Sequence, residues 1–219
     1  MTANIFLKNA WVEFPKNGAR SNGDVPAIKN LSLSLSSGDR LGIFGPNGSG
    51  KTTLLRLLSG IYHPTRGFYR SEGRVSSMLD LNTGMNPKAT GRDYVFFRNM
   101  LMGRSRSEGK SVLDDVIQFS GLDALIDQPV ATYSSGMKMK LFFSCATAVS
   151  GEILLMDEWL NVGDEEFRAK ARKRMERFSS QAEILVISSH SRRVLSENCN
   201  KFLELNAGVG TPREKLPPR

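Results

Sequence analysis

The sequence predicts an α/β fold that opens with an antiparallel β subdomain and carries an inserted α-helical subdomain. Three observations predict it. An apolar run, Leu41-Gly42-Ile43-Phe44, leads into the glycine-rich GPNGSGKTT of Gly45 to Thr53 and on into Leu54-Leu55-Arg56-Leu57-Leu58, a strand–loop–helix order. Two later apolar runs, Glu152 to Asp157 (EILLMD) and Glu183 to Ser188 (EILVIS), read as short buried strands. Between them and the first helix, roughly residues 86–150 are helical in pattern, with β/α alternation resuming afterwards.

Taken in order, Asn4 to Phe14 (NIFLKNAWVEF) alternates as a strand does. Lys16 to Asp24 is polar, contains Asn-Gly twice and predicts a hairpin turn. Ala27 to Leu35 (AIKNLSLSL) alternates again, and Ser36-Ser37-Gly38-Asp39 turns the chain into the strand before the glycine-rich loop. His63 to Gly67 breaks the first helix, and Gly73 to Leu81 reads as a further strand. The helical stretch holds Asp93 to Met102 and Ser111 to Ser120, the latter ended by Gly121.

The chain of 219 residues is long enough for one sizeable domain, or for a core with a smaller lobe. At 24% charged and 40% hydrophobic residues it is globular in composition. No apolar run approaches the roughly 18 residues of a membrane span, and the N-terminal MTANIFLKNAWVEF lacks the basic-then-apolar pattern of a secretory leader. Cys145 and Cys199 have no metal-ligand spacing and suit a reducing cytosol. The net charge of +8 allows nucleic acid, an anionic membrane surface or a solvated basic exterior as its reason. Lys and Arg are dispersed except at Arg168 to Arg177 (RAKARKRMER), which reads as the solvated face of a helix, and no aromatic-interleaved basic motif of the RNA-binding kind occurs. No nucleic acid partner is expected.

The loop Gly45, Pro46, Asn47, Gly48, Ser49, Gly50, Lys51, Thr52, Thr53 fits the G-x-x-x-x-G-K-[ST] pattern. Its glycines let the backbone approach a phosphate without a Cβ in the way, and its N–H groups converge on an anion at a helix N-terminus. Lys51 can reach the β- and γ-phosphates and Thr52 can offer its hydroxyl to Mg²⁺. An ordinary glycine-rich turn is the bland alternative. The full pattern between strand and helix favours nucleoside triphosphate binding. Asp157 ends EILLMD, at the sheet edge where open α/β sheets bind ligands, and is the expected Mg²⁺-facing carboxylate. Glu158 follows and could polarise an attacking water as general base, unless the two acids merely cap the next helix. His190, after EILVIS, is either structural or a γ-phosphate contact that orients the water.

At Tyr133-Ser134-Ser135-Gly136-Met137 the chain resembles the ABC ATPases, whose signature motif is usually LSGGQ and here reads YSSGM. The motifs stand in family order: the phosphate loop at 45–52, the signature at 133–137, ILLMDE at 153–158, NVGD (Asn161, Val162, Gly163, Asp164) as D-loop, and His190. The resemblance spans about residues 4–205 and implies a P-loop NTPase of the ABC ATPase fold: a single domain over 1–209, with core and β subdomain at about 1–85 and 151–209 and a helical subdomain at about 86–150; the Pro-rich, polar composition of Gly210 to Arg219 predicts a disordered tail. It also implies a head-to-tail homodimer in which each of two ATP lies between the phosphate loop of one subunit and the signature of the other, with ATP and Mg²⁺ as cofactors. Phe14 is the expected adenine-stacking aromatic, with a strand-end core role as its alternative and Trp11 as a weaker choice.

YSSGM, DEWLNVGD (Asp157 to Asp164) and ATGRDY (Ala89 to Tyr94) are similar to ATPase subunits of polysaccharide exporters, which serve O-antigen, capsule or teichoic-acid chains. That implies an integral membrane permease on a separate chain, a lipid-linked glycan as cargo, and a peripheral place on the cytoplasmic face of the inner membrane. Some relatives add a carbohydrate-binding domain, and this chain resembles the kinds that do not. A soluble ABC ATPase acting on ribosome or nucleic acid is the alternative. A nucleotide-binding regulator is a third reading, against which Glu158 and His190 stand. The glutamine that ABC ATPases usually place before the α lobe is missing between Asp80 and Arg106; Leu81 or Asn82 occupies that neighbourhood.

Overall fold

Eleven residues of alternating burial make β1 (Asn4–Phe14), which pairs antiparallel with β2 (Val25–Ser36) on one side and β4 (Arg66–Glu72) on the other. The structure is a computed structural model and describes residues 2–16, 24–158 and 164–216, without the side chain of Arg106. Most of the predicted turn at Lys16–Asp24 lies outside the described residues.

A second, six-stranded sheet runs in the order β5 (Val75–Ser77), β6 (Ile153–Asp157), β7 (Ile184–Ser188), β3 (Arg40–Phe44), β8 (Lys201–Asn206) and β9 (Val209–Arg213). Its first five strands are parallel and β9 is antiparallel to β8. β6 and β7 read as nearly unbroken apolar runs because both their faces are covered. On one face Leu41, Ile43, Ile153, Leu155, Ile184 and Val186 pack with Leu54, Leu55, Leu57 and Leu58 of α1 (Lys51–Leu58) in a single core. Each such side chain, fully buried, contributes about 1.5–3 kcal/mol. That core fixes the start of α1 over the carboxyl ends of β3, β6 and β7.

Of the predicted strand at Gly73 to Leu81 only Val75–Ser77 forms. The predicted disorder of 210–219 is overturned for its first part. Ala207 and Gly208, both with positive φ (46° and 83°), make a two-residue turn that suits the strand twist, and Val209–Arg213 then returns along β8. Arg213 pairs with Glu204 at 2.5 Å, and Pro212 is tolerated because β9 is an edge strand.

The chain divides into two compact units. One comprises Met1–Leu79, Gly151–Trp159 and Gln181–Arg219 and holds both sheets, α1 and α6 (Arg192–Asn198). The other comprises Asp80–Ser150 and Leu160–Ser180. It contains α2 (Gly91–Leu101), α3 (Arg106–Ser120), α4 (Ser135–Ala146) and nearly all of α5 (Glu165–Gln181). Capping boxes start α2 at Thr90/Asp93 and α3 at Ser105/Glu108, and Gly121 at φ 67° ends α3. The helical unit is therefore larger than the expected 86–150, because α5 joins it. Phe167 of α5 meets Phe119 and Phe143 at ring distances of 5.5 and 5.8 Å. Arg174 of α5, its side chain only 15% exposed, pairs with Asp115, lies 4.2 Å from the Phe119 ring and donates to the Thr147 carbonyl. So the basic run is solvated at Arg168, Lys170, Arg172, Lys173 and Arg177 but not at Arg174.

Candidate functional site

The glycine-rich loop Gly45 to Thr53 is built by glycines that no other residue could replace without strain. Gly45, Gly48 and Gly50 have φ of 151°, 74° and 106°. A Cβ on Gly45 would stand 2.0 Å from the Leu205 carbonyl oxygen, and one on Gly50 2.4 Å from that of Ala27. The loop is thus pressed onto β8 and β2 while its other side opens to a cleft of about 610 Å³. Asn47, Gly48, Gly50, Lys51, Thr52 and Thr53 line that cleft together with Ala27, Leu79, Asp157, Glu158 and His190.

Within it, Lys51 is buried and its Nζ donates to the carbonyls of Gly45 and Pro46, both at 2.9 Å. The ammonium is thus held by two carbonyl oxygens of its own loop. Thr52 Oγ1 donates to Asp157 Oδ2 at 2.7 Å, so the hydroxyl at the start of α1 and the carboxylate at the end of β6 already face each other. One carboxylate and one hydroxyl form an all-oxygen donor pair. That suits Mg²⁺, which takes few protein ligands and completes its shell with water and phosphate.

Glu158 stands just past β6 with φ 64°, a conformation that costs a non-glycine residue about 1 kcal/mol or more. Its N–H donates to the Ser188 carbonyl at 2.8 Å, which anchors the turn to β7. The strained turn projects the carboxylate into the open cleft, 60% exposed, with Oε1 3.8 Å from Nε2 of the 52% exposed His190. That separation is longer than a hydrogen bond. Asp157 and Glu158 are therefore neighbours in sequence with different surroundings, one tied to Thr52 and the other free to meet water.

Phe14 is not among the residues lining this cleft. It ends β1 at 38% exposure with its ring 5.4 Å from Tyr62, edge to face. Trp11 lies under the Arg66 guanidinium, 4.4 Å away. Asn82 is exposed in the turn after Asp80, its carbonyl accepting from Met85 N–H at 3.0 Å, and it too is absent from the cleft lining. Ala27 and Leu79 also line the cleft, and nothing in the sequence separates them from other apolar residues.

The signature stretch lies in the helical unit. Ser134 is the N-cap of α4, accepting from Met137 N–H at 3.2 Å, and Ser134, Ser135 and Gly136 are exposed. Met137 is half-buried against the helical core. Tyr133 points inward: it is 4% exposed and its hydroxyl donates to the Leu125 carbonyl at 2.5 Å. Burial, with Asp127 nearby, raises its phenol above the ordinary range. Of the D-loop, Asn161, Val162 and Gly163 lie outside the described residues. Asp164 caps α5 by accepting from Phe167 N–H at 2.9 Å and pairs with Lys140 of α4 at 2.7 Å, and the Lys140 ammonium holds its carboxyl below the usual range. Among the described residues no helix is long and apolar enough to cross a membrane.

A family model described as ABC transporter matches residues 28–161. The O-antigen export system ATP-binding protein RfbE of Yersinia enterocolitica is 40% identical over 93% of this chain and 87% of its own length. RfbB of Myxococcus xanthus, an O-antigen export system ATP-binding protein, is 39% identical over 91% of this chain, and the teichoic acids export ATP-binding protein TagH of Lactococcus lactis is 36% identical over 96%. This chain spans 46% of the length of each of those two relatives. A solved ATP-binding cassette, a dimer in a post-hydrolysis state bound to ADP and Pi, matches with a TM-score of 0.75 over 98% of this chain and 100% of its own, at 18% identity, a likeness of fold. The match over residues 28–161 and the 40% identity to RfbE show that the chain belongs to the ABC transporter family.

Proposed function

We propose that this chain is the ATP-hydrolysing subunit of an exporter of lipid-linked polysaccharide. It acts as a head-to-tail homodimer around two ATP, docked on a separate membrane permease at the cytoplasmic face of the inner membrane. The observation that carries the reading is the convergence of Lys51, Thr52, Asp157, Glu158 and His190 on one open cleft.

In this reading the loop N–H groups and Lys51 hold the β- and γ-phosphates. Lys51 exchanges two neutral carbonyl partners for anionic phosphate oxygens, so that both donor and acceptor carry charge. Thr52 and Asp157 would hold Mg²⁺, which when bound neutralises charge developing on the phosphate oxygens. Glu158, unpaired by any donor at hydrogen-bond distance among the contacts described, accepts the proton of the attacking water. His190 orients that water or the γ-phosphate. Phe14 stacks on adenine, with Tyr62 bracing its ring. The opposite subunit supplies Ser134 and the exposed N–H groups of Ser135 and Gly136, an anion site at a helix start. Asn161, Val162, Gly163 and Asp164 lie along the dimer interface.

The export reading draws on the relatives at 36–40% identity whose names are those of O-antigen and teichoic-acid export ATP-binding proteins. A docking surface for the permease is supported by α2, where Phe97, Met100, Leu101 and Met102 are 40–63% exposed at and just beyond the end of the helix. Side chains of that kind grouped on one exposed element mark an interaction site.

The test is recovery from detergent-solubilised membranes with Glu158→Gln and ATP. Recovery of a polytopic membrane protein together with an ATP-dependent dimer is the expected result. Recovery of ribosomes or nucleic acid with no membrane partner would overturn the export reading.

A further inference from the structure

The glycine-rich loop rests on the hairpin of β8 and β9 through one turn. Gly208 lies in that turn, buried, with φ 83°. Its N–H donates to the Ser49 carbonyl at 3.0 Å, and its own carbonyl accepts from Lys29 N–H of β2 at 2.8 Å. A Cβ on Gly208 would stand 2.9 Å from the Ala27 carbonyl oxygen, the same atom that would lie 2.4 Å from a Cβ on Gly50. The two glycines therefore close on one carbonyl of β2, and both the φ and the contact call for glycine at 208. The Ser49 carbonyl and the Gly50 N–H belong to one planar trans peptide, so they point in opposite directions. The carbonyl is tied to Gly208, on the side where the loop is pressed onto β2 and β8. The N–H is thereby turned to the other side, where Gly48, Gly50 and Lys51 line the cleft. Among the described residues the Gly50 N–H has no acceptor, so it is available to an anion there.

We propose that Gly208 is a positioning residue for the nucleotide: its N–H holds the Ser49 carbonyl and so aims the Gly50 N–H at the bound phosphates. Gly208 itself touches no phosphate and acts only through the Ser49–Gly50 peptide. Without its donor the Ser49 carbonyl is left buried and unpaired, and the peptide turns to find another partner, taking the Gly50 N–H with it. An N–H that already points at the anion before the anion arrives spares binding the cost of ordering it. The proposal rests on reading the cleft as an ATP site and adds a brace to it from the C-terminal hairpin.

The experiment replaces the Gly208 amide by an ester, which removes this one N–H and keeps the shape of the chain. Cys199 makes it accessible: residues 1–198, produced recombinantly, are ligated to a synthetic segment 199–219 carrying glycolic acid at position 208, and an all-amide segment gives the control. ATP affinity, KM and kcat are measured well below the thermal midpoints of both full-length chains. The ester should weaken ATP binding and raise KM about fivefold, the net worth of one hydrogen bond, while kcat stays within about twofold. Its nucleotide-free midpoint should fall by about 2–4 °C. A lower midpoint with unchanged ATP affinity and KM would make the turn merely structural and overturn the proposal, as would a loss of kcat at unchanged KM. Gly208→Ala, which adds a strained φ and the clash with Ala27, should weaken ATP binding at least as much, and normal ATP affinity in that variant overturns the proposal too. An all-amide chain that binds no ATP overturns the reading of the cleft itself, which separates the two failures.

Discussion

Lys51 and Glu158 carry opposite charge in the same cleft and are held in opposite ways, and that difference sets what each substitution should do. Lys51 is buried with two carbonyls on its ammonium, so Lys51→Ala leaves those acceptors to water and removes the cation from the phosphate loop. ATP affinity should fall roughly 100-fold or more, two charge-assisted contacts' worth, read by equilibrium binding; an unchanged affinity would remove Lys51 from the phosphate site. Glu158 sits exposed in a strained turn, so Glu158→Gln keeps its shape and changes only its basicity. Turnover should drop about 10²–10⁴-fold while ATP binding holds, and undiminished steady-state hydrolysis would exclude it as the base. The sequence marks both as candidates because the pattern is local: glycines before Lys51, an apolar strand before Asp157-Glu158. Gly208 and Tyr133 were not legible in the same way. Whether a glycine N–H reaches the Ser49 carbonyl, or a signature tyrosine turns into the core to reach Leu125, depends on the folded chain and not on a local pattern.

At the scale of elements, α5 is the instructive case. RAKARKRMER reads as a solvated basic face, and five of its cations are solvated, yet Arg174 is the pivot of the helix's packing onto α3 and α4. Nothing in the run distinguishes it; only its place three turns after the cap at Asp164, on the side of Phe167 and Ala171, turns it inward. Arg174→Met should retain the packing over Phe119 but strip Asp115 and the Thr147 carbonyl of their donor. The expected cost is about 1–3 kcal/mol, seen as a lower urea midpoint, and a shift of under a few tenths of that would mean the pair adds nothing. On α2 the reasoning runs the other way, since Phe97, Met100 and Leu101 are apolar and remain exposed. Phe97→Asp combined with Met100→Asp should leave basal ATP hydrolysis unchanged while abolishing co-purification with a permease. Retained co-purification would move the docking surface elsewhere. β9 belongs to this scale too. A polar, proline-containing stretch reads as disordered until the Ala207-Gly208 turn presents it to the free edge of β8, an opportunity that exists only once the sheet has formed.

For the whole molecule, the proposed dimer is the arrangement to test. The glycine-rich loop and the signature-like stretch belong to different compact units of one chain, and in the proposed dimer each would present half of an anion site: glycine-loop N–H groups in one, an exposed helix start capped by Ser134 in the other. A single chain of +8 net charge gains nothing from meeting a like-charged copy through its surface charge alone. In the proposed dimer, ATP, polyanionic and placed between the two halves, would supply the attraction that reverses this. Association should therefore be conditional on ATP and reversed by hydrolysis. Ser134→Arg puts a long cation where the opposite subunit's γ-phosphate would lie. In the Glu158→Gln background it should abolish the ATP-dependent dimer seen by light scattering, while the monomer still binds ATP with near-normal affinity. Loss of the N-cap accounts for about 1 kcal/mol of any effect, so Ser134→Ala serves as control: it removes the same cap without bulk and should retain much of the dimer. A normal ATP-bound dimer from the arginine variant would refute the head-to-tail arrangement and leave the cleft of each chain to work alone.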